Sequence, residues 1–153
     1  RGGRSRSRER PPRRDDGREA PRYQQIAWGK QITARNATTE SILTLFANEG
    51  HRFEARNLAT TAHRIGKFGR HRFRSDRRLE SLAATCINRI PEFEAQHIAN
   101  VAWGFAKTEF IDQQLFEAIK AETPTRVREF NAQQMANTVW AFAKAGVAAE
   151  RLF

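Results

Sequence analysis

FEAQHIANVAWGFAKTEFIDQQLF (residues 93–116) and FNAQQMANTVWAFAKAGVAAERLF (residues 130–153) align without a gap, 37 positions apart. Eleven of the 24 positions are identical, among them Phe93/Phe130, Gln96/Gln133, Asn100/Asn137, Trp103/Trp140, Phe105/Phe142 and Lys107/Lys144. Self-similarity at such a period is the mark of stacked-repeat architecture, in which each unit covers its apolar face only against its neighbours. A weaker copy, FEARNLATTAHRIGK, starts at Phe53, with a spacing of 40 and His63 where the others have Trp.

Inside each copy the apolar residues recur at helical intervals. Met135, Ala136, Val139, Trp140, Phe142 and Ala143 form one set, and Ile98, Ala99, Ala102, Trp103, Phe105 and Ala106 its counterpart. Asn131 is expected to cap the last helix and Gly146 to stop it. A second helix is expected from about Asp112 to Ala121, with Asp112 as its cap and Leu115, Phe116 and Ile119 on one face. Its counterpart runs over Asp76–Asn88, closed by Pro91. Ser41–Gly50 reads as the second helix of a half-unit, preceded by a faint helical pattern over Gln24–Arg35. The expected fold is therefore all-α, an α-solenoid of helical hairpins. Units fall near residues 53–92, 93–129 and 130–153, with an N-terminal half-unit at 24–52.

The first 22 residues, RGGRSRSRERPPRRDDGREAPR, hold nine Arg, four acids, three Pro and three Gly. They have too little apolar surface to offset the entropy of ordering and are expected to be a disordered basic tail. Three uses fit this tail: an Arg/Ser-rich RNA-binding segment tuned by phosphorylation, a transit peptide, or a solvating linker. About half of the net charge of +10 lies there and the rest over residues 23–153. A basic balance on both parts favours a polyanionic partner, most often nucleic acid. One cysteine, Cys86, excludes an internal disulfide framework. No apolar run reaches the ~18 residues of a membrane span, so no membrane partner is expected. The start at Arg1 and the end within a repeat read as a piece of a longer protein, with apolar surface around Trp140 and Phe153 left open.

Lys30–Phe68, followed by two copies of F-x-A-Q-x-[IM]-A-N-x-x-W-x-F-A-K, resembles the octatricopeptide-like helical repeats of RAP-domain proteins, to which repeats of the FAST-kinase-domain family are related. The resemblance covers about Ile32–Phe153. It implies single-stranded RNA binding (mRNA or rRNA) in a mitochondrion or chloroplast, in RNA processing, stability, translation or ribosome assembly. Ribosomal or RNA-processing proteins are implied as further partners. No RAP module lies in these residues.

On the first helix of each unit one polar line remains once the apolar stripe is buried. It comprises Arg56/Gln96/Gln133, Thr60/Asn100/Asn137, Arg64/Gly104/Ala141 and Lys67/Lys107/Lys144. Amides and hydroxyls suit base edges, and Lys and Arg suit phosphates. Asn100 and Asn137 equally suit hydrogen bonds to a neighbouring helix end, and the three lysines suit the helix dipole. Trp103 and Trp140, flanked by Phe and Ala, are expected in the core. RHRFRSDRR (residues 70–78) is the most basic stretch of the repeat region. Arg70, Arg72, Arg74, Arg77 and Arg78 are candidates for phosphate contact there, with Phe73 for stacking. Its bland alternative is a solvated loop. His51, His63, His71, His97 and Cys86 show no metal-ligand spacing, and no phosphate-cradling glycine loop occurs. No enzyme activity, metal or cofactor is expected. The rival to RNA binding is a helical scaffold that holds proteins.

Overall fold

The computed structural model describes residues 20–153, and among these the secondary structure is entirely helical. The basic tail expected over residues 1–22 lies outside the described residues as far as residue 19. Seven α-helices follow in order: α1 (Arg22–Thr33), α2 (Thr39–Glu49), α3 (Ala55–Arg64), α4 (Arg77–Arg89), α5 (Ala95–Thr108), α6 (Gln113–Glu122) and α7 (Ala132–Ala145). No helix among the described residues is long and apolar enough to cross a membrane.

Local chemistry explains where the helices begin and end. Asp112 accepts from the Leu115 amide at 3.0 Å, and Asp76 from that of Arg78 at 2.9 Å. Asn131 and Gln134 satisfy each other's amides in a capping box, as do Thr38 and Ser41. Gly146 ends α7 in the left-handed region at φ 69°, a conformation free of cost only for glycine. Glu109, 37 positions earlier, ends α5 in the same region at φ 59°. The faint pattern over Gln24–Arg35 is a full helix, α1. Its buried Gln25 holds it to the next unit, donating to the Arg52 carbonyl at 2.7 Å and accepting from the Glu54 amide at 3.0 Å.

The odd-numbered helices pack side by side, α1 on α3, α3 on α5 and α5 on α7, while α2 packs on α4 and α4 on α6. Between these two tiers lies the core. Phe53, Phe93 and Phe130, which open the three copies, are all buried, as are Ile65, Phe105 and Phe142 at matching positions inside them. At the α3–α5 crossing the backbones come close. A Cβ on Gly66 would sit 2.5 Å from the Gly104 carbonyl oxygen, and one on Gly104 would strike the Ala62 carbonyl.

The spacing of 40 in the first copy has a physical location. Nine positions separate Lys67 from the cap Asp76, against five between Lys107 and Asp112, and this surplus of four is reduced to three because Asp76 lies one position nearer to Phe93 than Asp112 does to Phe130. The surplus falls after Lys67, at the end of a π turn (Ile65–Gly69) and in a 3-10 turn (Arg70–Phe73), while Ile65 and Lys67 keep their match to Phe105 and Lys107. Arg70 carries the local strain at φ 49°.

Candidate nucleic-acid interface

The outer surface of the odd tier carries the residues singled out above, and the structure sorts them. Arg56, Gln96, Gln133, Lys67 and Lys144 are exposed. Thr60, Asn100, Asn137, Arg64 and Lys107 are half-buried. Their 3- and 4-residue steps along α3, α5 and α7 place them on one face of each helix.

Several have partners. Gln134 donates to Gln96 at 2.9 Å, and Gln96 donates to Asn100 at 2.9 Å, an amide chain that links α7 to α5. Thr60 donates back to the Arg56 carbonyl at 2.8 Å. Arg64 donates to the Ala34 carbonyl at 3.3 Å, its guanidinium 4.7 Å from the Phe68 ring. Gly104 and Ala141, placed with Arg64 in one polar column, are buried against the neighbouring helix. On α5 and α7 that column is therefore a packing position that demands small residues, while Arg64 on α3 stays half-buried.

The tryptophans correct the sequence expectation most sharply. Trp140 is 40% exposed and Trp103 half-buried; neither is in the core. His63 from α3 stacks on Trp103 with centroids 4.8 Å apart and planes at 26°. Lys107 Nζ lies 5.4 Å from the Trp103 centroid and 5.4 Å from that of Trp140. One row of rings and a cation thus crosses α3, α5 and α7. Phe68, 52% exposed beside Lys67 and Arg64, lies on the same part of the chain as the π turn. His63 and Phe68 were not among the expected contacts, and for Trp103 and Trp140 a core position was preferred to base stacking. Their clue was arithmetic: Trp103 is three residues after Asn100 and four before Lys107, hence on the polar face.

Electrostatics vary along the tier. Burial, then Lys67 and Arg64, hold the His63 imidazole below its ordinary pKa, so it is a neutral ring near pH 7. At the N-terminal ends of α5 and α7 a cleft of about 450 Å³ is lined by both signs, Glu94 and Glu129 beside Arg126. Arg126 is already committed to Glu122 at 3.0 Å and the Pro91 carbonyl at 2.5 Å. Lys107 and Lys144 lie in the last turns of α5 and α7 and Lys67 in the π turn after α3, while Arg56 stands exposed at the start of α3.

In residues 70–78, Arg70, Arg72, Arg74 and Arg77 are exposed. Arg78 is not available for phosphate. It forms a forked pair with Glu40 at 2.8 and 2.9 Å and bonds Asp76 at 2.7 Å, tying α4 to α2. Arg78 in turn holds the Asp76 carboxyl below its usual range. Phe73 packs against the core, so the exposed ring at this connection is Phe68. Buried Cys86, its thiol pushed up by desolvation, takes no part in the face.

No protein-family model matches the chain, and no curated protein matches its sequence.

Proposed function

We propose that this chain is part of an octatricopeptide-like α-solenoid that binds single-stranded RNA along the odd tier, without making or breaking bonds. The observation that carries this reading is the row His63–Trp103–Lys107–Trp140, flanked by Lys67 and Lys144. Aromatic faces interleaved with cations are what an unpaired strand requires, because bases stack and phosphates pair with charge. The net charge of +10 supports the same class of partner. The two-tier order of helices, with matching residues at matching positions, supports a repeat array. Work in a mitochondrion or chloroplast, on mRNA or rRNA, rests on the sequence resemblance.

The test is titration of fluorescein-labelled single-stranded RNA at two salt concentrations. Binding should weaken steeply with salt, and replacing Lys67, Lys107 and Lys144 together by Ala should flatten the slope by about 2 units. Absent or salt-independent binding would instead favour a protein-holding scaffold.

A further inference from the structure

We infer that Trp103 and Trp140 form a slot for one nucleobase, which the Lys107 side chain occupies when no strand is bound; this rests on the RNA-binding reading above. The two indoles come from adjacent helices, α5 and α7, and both approach the same ammonium at 5.4 Å. Aromatic pairs stack with centroids about 4.5–7 Å apart, so a flat ring at the position of Nζ is in stacking range of both indoles. Stacking of a base on an aromatic side chain at least matches the cation–π contact of half-buried Lys107, and the displaced ammonium gains a phosphate, so a base displaces it.

The rest of the row suits this exchange. His63, stacked at 4.8 Å, holds the Trp103 ring from the α3 side. It is held neutral by burial and by Lys67 and Arg64. Lys107 has a flexible stem, and on leaving the slot its ammonium swings to the phosphate beside the inserted base. An incoming cation is disfavoured, because Arg64, Lys67, Lys107 and Lys144 already line this end of the tier. The occupant is thus a base carried on a polyanion. Stacking accepts any of the four bases, so the slot sets the register of the strand and leaves its sequence unread.

Intrinsic fluorescence reads the slot directly. Trp28 is 3% exposed and shielded from the strand, which leaves Trp103 and Trp140 as reporters. Titration with labelled oligouridylate should quench tryptophan emission in parallel with the rise in label anisotropy. Trp140→Leu should weaken binding roughly 5- to 150-fold with an unchanged salt slope, the loss of one stacked base. Lys107→Ala should instead lower that slope by about one unit. An abasic strand of equal length should bind wild type and Trp140→Leu alike. Anisotropy without quenching, or Trp140→Leu binding as wild type, would overturn the slot and leave RNA binding standing. No anisotropy change at low salt would overturn both.

Discussion

His63 stands where the later helices place Trp103 and Trp140, and it is the only member of the row that titrates near neutrality. Burial is the main reason its pKa is lowered, with Lys67 and Arg64 adding to it. The folded state therefore prefers the neutral ring, while the unfolded chain takes up a proton near pH 6.5. Stability supplied by neutral His63 is present above that pH and is lost as pH falls. His97 is lowered as well, chiefly by burial, and acts with the same sign. Tm should drop between about pH 7.5 and about pH 5, and His63→Gln should flatten part of that drop, with His97 supplying the rest. A Tm equal at both pH values in the wild type would show that neither imidazole is held neutral by the fold. Residue-scale reading of the sequence succeeded where a single bond decides the outcome, as at Asp112, Asn131 and Gly146. It failed at Trp103 and Trp140, because hydrophobicity says only that a ring leaves water. Here the rings partly cover one another through Lys107 and His63.

At the scale of elements, the α3–α5 contact is the tightest seam described. Gly104 meets the backbone of Ala62 and His63, and backbone does not yield as a flexible side chain does. The matching position on α7 is Ala141, fully buried, so the α5–α7 seam has room for a Cβ where the α3–α5 seam has none. Gly104→Ala should cost about 1–3 kcal/mol through overpacking, less up to ~1 kcal/mol regained from helix propensity. A wild-type urea midpoint for this variant would show that α3 and α5 can part freely. That the chain is all-helical was readable from the spacing of its apolar residues. Which small residues make the seam was not, because alanine and glycine look alike on an exposed and a buried face. Arg78 was illegible for a related reason. Asp76, two residues away, caps the same helix, but Glu40 lies on α2, and only the fold brings it to Arg78.

For the molecule as a whole, neighbours are distributed unevenly. α5 lies between α3 and α7, whereas α1 packs on α3 and α7 on α5 alone within the odd tier. The free side of α7 shows this in its residues: Ala136 and Ala143 are exposed and Val139 is 45% exposed, while their counterparts Ala99, Ala106 and Ala102 are buried. In a fold held by nearest-neighbour contacts, the ends open first. Amide hydrogen exchange should be slowest in α5 and α3 and faster in α7 and α1; equal protection throughout would mean that the chain opens as one block. The long connection after α3 bears on this scale too. An added residue inside a helix turns everything beyond it by about 100°, but the surplus here sits in the connection between Lys67 and Asp76. Length added in such a connection leaves every later side chain aimed as before, so the odd-numbered helices keep a common face whatever the span between them.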